Sequence, residues 1–366
     1  MAKGKKPSCG CFILSIILLI VFAGFSADED PLELPPISTP PSYEVIDGDP
    51  DATREPLITL PPTRTPETTN KPSTTPKPTN KPTVTMKPVQ ITPTPKPAET
   101  VTVPSGFYYT QLDKEGKIIY AELYKAVIKG EDTIQLSGIE LPEYTDSVKP
   151  AIYAFEYDHP QFFWTGNGYS YTSSDSRLKN NDSLKLTIST RNYWKYTTSR
   201  NSYVNKLQQK VNQIVSEANK YSTDYEKIKY VHDYIVNTVQ YDHTAASETE
   251  TPTKMSAKSE QSCTAYGALV NGWAICCGYS EAFQLIMHNL GISCDVVIGY
   301  ANGGLHEWNA VYINGVRYML DATWDDPDWE PIRYDYFLIS TAQLEKTHKV
   351  KDTQFTYPVC KYNYAS

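Results

Sequence analysis

The chain has 366 residues, a formal net charge of -8 and 27 prolines. The acidic balance, with no Lys/Arg run to interrupt it, excludes a phosphate-binding surface, and nucleic acid is not an expected partner. Five cysteines lie beyond the first thirty residues, Cys263, Cys276, Cys277, Cys294 and Cys360; this is too sparse for a disulfide scaffold, and an odd number leaves at least one thiol outside any pairing.

In chain order, Lys3, Lys5 and Lys6 precede an apolar run from Phe12 to Phe25, with the small residues Gly24, Ser26 and Ala27 around its end. The run is short for a membrane span, so residues 1–27 read as a signal peptide, with an uncleaved signal anchor as the rival. Cys9 and Cys11 precede the run, the wrong side for lipidation. Residues 31–104 hold 19 of the prolines, many threonines, no cysteine and no tryptophan. Such a composition buries too little apolar surface to offset chain entropy. Residues 28–104 therefore read as a disordered Pro/Thr/Lys-rich stalk, with a reach on the order of 200 Å if extended.

The remainder is long enough for a sizeable core. Residues 107–129 predict a helix ending near Gly130, and DTIQLSGIEL a strand. YDHPQFFW, Tyr157 to Trp164, predicts a turn and then a buried aromatic strand; LKLTIST alternates as another strand. Val204, Leu207, Val211, Ile214, Val215 and Ala218 recur at helical spacing within Tyr203–Tyr221. Thr223 with Glu226 marks the start of a second helix by a capping box. Residues 244–261 are polar and predict a mobile loop. This mixture indicates an α+β fold, with residues 105–202 as an N-terminal α+β region and 203–366 as the main domain.

The stretch GWAICCGYSEAF raises the question of a reactive thiol. Tyr279, Ala282, Phe283, Ile286 and Leu290 form one helical face, closed by Gly291. Extended backwards, the wheel turns Cys276 toward the buried face and Cys277 toward solvent. A thiol at a helix N-terminus meets the positive end of the dipole and unpaired N–H groups, which favour the nucleophilic thiolate. A buried structural cysteine is the plainer alternative.

HEWNAVYINGVRYMLDATW, His306 to Trp324, contains Asn314-Gly315 between alternating apolar residues, a strong hairpin signal. A two-residue turn sets Ile313 opposite Val316, Val311 opposite Tyr318 and Asn309 opposite Leu320. That register makes Val311, Ile313, Val316, Tyr318 and Leu320 core. On the other face Trp308 opposes Asp321 and His306 lies diagonal to it, within reach of a hydrogen bond. A carboxylate that orients an imidazole, beside a helix-terminal thiolate, is an activated-nucleophile arrangement. A surface cross-strand ion pair is the alternative. Cys263, Cys276, Cys277 and His306 match no zinc-ribbon or finger spacing. Asp325, Asp326 and Asp328 around Pro327 read as a turn in preference to a calcium site. His159, His232, His243, His288 and His348 show no partner pattern and read as structural.

At these residues the sequence resembles the transglutaminase-like superfamily, related in fold to papain-like cysteine proteases. CCGYSEAF resembles that family's Cys-x-Gly-Tyr helix start, HEWN its His-x-Trp-Asn strand, and DATWDDP its Asp-x-Thr-Trp-Asp segment; AYGALVNG fits the bacterial branch. The resemblance covers Tyr203 to Pro327. It implies a central helix packed on an antiparallel sheet, with Cys276 as nucleophile, His306 as base and Asp321 as orienting acid. It further implies acyl transfer on peptide or protein amides, such as those of the cell wall or cell surface. On this reading the Cys276 backbone N–H and Tyr266 stabilise the oxyanion, and Trp308 shields the pair from water; core packing is the other account of Tyr266. No cofactor or metal is implied, and the membrane is met only through the N-terminal segment. The expectation is an exported cysteine peptidase, deamidase or transglutaminase. The competing expectation is a surface-displayed binding or structural module that retains the fold without activity.

Overall fold

A computed structural model of the chain describes residues 101–136, 147–166, 168–173, 184–191, 194, 197–249, 255–328, 331–351 and 355–365. The signal segment and almost all of the stalk read from the sequence lie outside them. Among the described residues no helix is long and apolar enough to cross a membrane.

The N-terminal part begins with α1 (Phe107–Thr110) and α2 (Lys114–Ile128). Two helices replace the single one read from the sequence because Asp113 interrupts the run, capping α2 by accepting from the Gly116 N–H at 2.6 Å. Strand β1 (Thr133–Leu136), helix α3 (Val148–Asp158), and strands β2 (Tyr169–Ser173) and β3 (Leu184–Ile188) follow. The strands form an antiparallel sheet in the order β1-β3-β2. The aromatic strand expected after Tyr157 is absent: Pro160–Phe162 is a 3-10 turn. Proline suits the first position of such a turn, since its missing N–H would have had no partner there. Phe162, Phe163 and Trp164 are buried from this turn.

Helices α4 (Thr197–Ala218) and α5 (Asp224–Thr238) follow the predicted apolar spacing. The capping box holds in both directions: Thr223 Oγ1 accepts from the Glu226 N–H at 3.2 Å, and Glu226 accepts from the Thr223 N–H at 3.0 Å. The loop expected over 244–261 instead contains α6 (His243–Thr249) and α7 (Ala257–Ser262). Both are short and polar, started by Asp242 and Ser256, whose side chains accept from Ala245 N–H and Ser259 N–H. Ala245 and Ala246 supply α6's only fully buried apolar surface, too little for a periodicity reading to register. Residues 250–254 lie outside the description.

A parallel pair, β4 (Gln240–Tyr241) and β5 (Trp273–Ala274), leads into α8 (Cys276–Asn289). The main sheet comprises β6 (Cys294–Ala301), β7 (Gly304–Ile313), β8 (Val316–Leu320) and β9 (His348–Val350), antiparallel in the order β8-β7-β6-β9, with α9 (Thr341–Leu344) between the last two strands. The hairpin register agrees with the sequence reading: Ile313 faces Val316, Val311 faces Tyr318 and Asn309 faces Leu320. Asn314 and Gly315 take φ of 51° and 78°, the left-handed pair that a tight two-residue turn requires.

The fold is thus the expected mixture of helices and antiparallel sheet, with α8 at the centre. One continuous apolar core runs from Phe107 to Phe355, including α8 and one face of the main sheet through Val311, Ile313, Tyr318 and Leu320. The other face carries a smaller core of Val297, Trp308, Ala310, Met319, Ile339, Leu344 and Cys360.

Candidate active site

The site is built from α8, the β7–β8 hairpin and β9. Cys276 is the first residue of α8, after Ile275, an extended N-cap whose side chain makes no cap. Helix geometry leaves the first N–H groups without intrahelical acceptors, so the sulfur starts at the positive end of a 14-residue helix. Gly278 lets this turn approach the 262–264 segment: a Cβ there would lie 2.6 Å from Ser262 O and 3.0 Å from Thr264 O.

Both cysteines are buried, Cys276 at 0% and Cys277 at 3% exposure, which corrects the expected solvent-facing Cys277. The expected outer face of α8 is covered. Gln284 donates to Tyr157 O at 3.0 Å and Glu281 accepts from the Ala265 N–H at 3.1 Å. Segments distant in sequence supply that cover, and a helical wheel cannot see them. In this conformation the Cys276 sulfur is closed to solvent. The five described cysteines form no disulfide. Burial pushes the thiols of Cys294 and Cys360 up, which holds them as inert thiols.

Hydrogen bonds fix how α8 lies along β7. Near its C-terminus, His288 Nε2 donates to Cys294 O at 2.8 Å, and Cys294 pairs with Val311. Two turns earlier, Ser280 Oγ donates to Glu307 at 2.5 Å, and Asn309 Nδ2 donates to Ser280 O at 3.0 Å. From His288 to Ser280 the axis travels about 12 Å, and from Val311 to the level of residue 308 the strand travels about 10 Å. One further turn, about 6 Å, corresponds to about two strand residues and brings Cys276 to the height of His306. His306 itself sits on the alternate face of β7 from Glu307 and Asn309, so a meeting of sulfur and ring has to pass the sheet edge beyond the end of β8, whose last residue, Leu320, pairs with Asn309.

His306 Nε2 lies 2.7 Å from Asp321 Oδ2, as the hairpin register predicts. The other carboxylate oxygen accepts from the Thr323 and Trp324 N–H groups at 2.9 and 3.1 Å. A second imidazole joins them: His348 Nε2 lies 3.0 Å from the same Oδ2. A carboxylate oxygen only accepts, so each Nε2 carries its proton, which leaves Nδ1 of neutral His306 as the basic atom. Burial opposes ionisation of Asp321, but the two imidazoles outweigh it and hold its carboxyl well below the usual range. Burial, opposed by Asp321, keeps His348 below the usual imidazole value.

Aromatic rings close this cluster. Trp308 stacks on His306 with centroids 6.0 Å apart and meets His348 edge-on at 5.1 Å. The Trp308 ring occupies the space above Gly299, where a Cβ would come within 2.3 Å of it. Trp324 packs 6.0 Å from His306 and 4.5 Å from His348. Tyr266 packs its ring at 5.1 Å from Phe163, 5.8 Å from Trp194 and 5.4 Å from Tyr203.

Among the described residues, His306, Asp321 and His348 are the group whose ligand atoms, within 4.8 Å of one another, could hold a metal ion. Donor atoms on one tetrahedral zinc sit about 3.3 Å apart, given zinc–ligand bonds of about 2.0–2.1 Å. The 2.7 and 3.0 Å separations here are those of shared protons.

The loop after Asp321 fastens the site to three helices. Asp325 Oδ2 lies 3.1 Å from His232 Nε2 on α5, Tyr279 OH of α8 donates to Asp326 at 2.6 Å, and Asp328 lies 3.1 Å from His243 Nε2 on α6. These carboxylates engage different elements and do not converge as a calcium cage. The sequence shows no partner pattern for His232, His243 and His348; the structure gives each a carboxylate partner. Each has a carboxylate partner in the DATWDDPD segment, through contacts that span 27 to 93 residues, and His232 Nδ1 also lies 3.1 Å from the adjacent Asp233. The only local hint for His348 was its place in a short alternating stretch, HKV.

Residues 209–322 match the family model described as the transglutaminase-like superfamily, so this segment of the chain is similar to that superfamily. Kyphoscoliosis peptidase from Homo sapiens is 28% identical over 130 residues, covering 32% of this chain. The Mus musculus protein of that name gives the same figures. The alignments span 18% of the length of these curated relatives. Among solved structures, one described as a TGase is 20% identical, covering 55% of this chain and 53% of that one, with a TM-score of 0.31. The periplasmic domain of TgpA from Pseudomonas aeruginosa is 12% identical, covering 43% of this chain and 65% of that one, with a TM-score of 0.25.

Proposed function

We propose that this chain is an exported, cysteine-dependent acyl-transfer enzyme acting on peptide or protein amides, with Cys276 as nucleophile, His306 as acid and base and Asp321 as the orienting carboxylate. The observation that carries the reading is an imidazole, His306, whose Nε2 is held 2.7 Å from a buried carboxylate; the helix and strand rises that bring the start of α8 to its height support it. The apolar leader and proline-rich stretch of the sequence support export and display at the cell surface.

The chemistry follows. The Cys276 thiolate adds to the amide carbonyl, and the oxyanion is met by N–H groups at the start of α8. The intermediate collapses as imidazolium His306 gives its proton to the leaving amine, which departs and leaves a thioester. Neutral His306 then takes a proton from the acceptor as it attacks the thioester, and Cys276 is released. Water as acceptor gives hydrolysis or deamidation; a lysine amine gives an isopeptide crosslink. Trp308 and Trp324 keep water from the imidazole and strengthen its interaction with Asp321.

The test is mass spectrometry of a peptide library containing both Gln and Lys, incubated with the chain and with Cys276→Ala. Chain cleavage, conversion of amide to acid, or ammonia loss with crosslinking, each dependent on Cys276, supports the proposal and names the acceptor. Equal products from both proteins would refute it.

A further inference from the structure

We infer that His348 is a positioning residue for the Cys276–His306 reaction: its Nε2–H fills the last acceptor position of Asp321 and thereby fixes the carboxylate against which His306 turns. This rests on the proposed roles of Cys276, His306 and Asp321.

The argument is one of counting. An ionised carboxylate offers about four lone-pair directions. Thr323 and Trp324 N–H groups take two on Oδ1, and His306 and His348 take two on Oδ2. With all four filled, Asp321 has no rotation that does not break a hydrogen bond in a buried site, where an unmet bond is costly. His348 is itself held from behind. Its Nδ1 lies 2.8 Å from Thr347 Oγ1, and Tyr336 OH lies 3.2 Å from the same hydroxyl. Trp308, Trp324 and Tyr336 pack on its ring at 5.1, 4.5 and 5.3 Å. The register explains how a residue so distant arrives there: β9 pairs with β6 so that His348 faces Ala301, while His306 faces Gly299, two residues along the same face. A merely structural histidine has no need to direct its proton at the oxygen that already binds His306.

Removing the His348 donor leaves Oδ2 with one partner and frees the carboxylate to swing from His306. The loss of one hydrogen bond to a charged group corresponds to roughly ten- to hundredfold in rate.

The experiment measures the rate of Cys276 alkylation by iodoacetamide, read by mass spectrometry on the full chain. The proteins are wild type, His306→Ala, His348→Leu, His348→Gln, Asp321→Asn and the Asp321→Asn/His348→Leu double variant. His348→Leu is expected to slow alkylation roughly ten- to hundredfold, and His348→Gln, which keeps an N–H donor, to recover most of the rate. The double variant is expected to be no slower than Asp321→Asn alone, because both changes break one unit. A wild-type rate in His348→Leu, or losses that multiply in the double variant, would overturn the inference while His306→Ala remains slow. If His306→Ala matches wild type, the underlying catalytic reading fails and this inference fails with it. Should His348→Leu not fold, nitrogen-15 imidazole spectra of the wild-type chain decide: the Nε2–H tautomer at His348, perturbed by Asp321→Asn, supports the inference, and an Nδ1–H tautomer refutes it.

Discussion

Asp321 holds His306 across the β7–β8 hairpin through a 2.7 Å contact between Oδ2 and Nε2. The tautomer this imposes is a precondition of base catalysis by Nδ1. Asp321→Asn presents an amide of nearly the same shape but reverses the proton demand on one side. It is expected to lower Cys276-dependent turnover by on the order of 10³–10⁴, the scale found when a catalytic imidazole is held in the wrong tautomer. Steady-state turnover of a peptide selected by the library test measures it, and a loss of less than tenfold would contradict the orienting role.

The adjacent thiols are expected to part ways. Cys276→Ser should abolish turnover, whereas Cys277→Ser should retain it within a few-fold, since serine is close in size and only Cys276 opens α8. In the native chain Cys276 is expected to alkylate ahead of Cys294 and Cys360, whose thiols burial holds protonated. Peptide mapping after brief alkylation reads the order.

Gly278 permits the close approach of α8 to the 262–264 backbone. Gly278→Ala places a methyl group against two backbone carbonyl oxygens, of Ser262 and Thr264. It is expected to cost about 1–3 kcal/mol, the usual scale of overpacking, and to displace the first turn that carries Cys276. Urea midpoints measure the first effect and the Cys276 alkylation rate the second; an unchanged midpoint would show that the segment yields freely.

Acid sensitivity follows from two buried neutral histidines. Burial lowers His288 to about 4, and burial followed by the neighbouring His288 lowers His159 to about 3. As pH falls below about 6.5 the unfolded chain binds protons at these positions before the folded chain does, so stability falls from there down through the folded values. Burial raises Glu156 to about 7, which acts in the opposite sense: it costs stability as pH climbs from about 4.5 through 7. The two are separated by difference. His288→Gln, which keeps a donor toward Cys294 O, is expected to lose less stability than wild type between pH 7.5 and 5 by urea unfolding. Equal losses would mean that His288 carries a proton in the fold.

Much of the fold was legible because it is local. The Asn314-Gly315 turn and its alternating flanks fixed the hairpin register, and the register fixed His306 against Asp321. The helix beginning at Cys276 was legible from Tyr279, Phe283 and Ile286. What escaped was non-local. Cys277 is buried because the 262–265 segment and the region around Tyr157 close over α8, and no wheel reports what covers a face. His348 joins Asp321 only because β9 pairs with β6. The short helices α6 and α7 escaped because their caps and two alanines leave almost no periodic signal. The turn at Pro160 was mistaken for a strand because a run of buried aromatics looks alike in either form.

The central claim is that the Cys276 sulfur and the His306 ring meet at the sheet edge past the end of β8. It is tested most directly by the pH dependence of Cys276 alkylation in wild type and His306→Ala. Whatever motion uncovers the buried sulfur is common to both, so their ratio isolates the imidazole. The account predicts that wild type alkylates rapidly and evenly from about pH 6 to 8, while His306→Ala rises only toward the ordinary thiol value near 8.5. Superimposable profiles would contradict it.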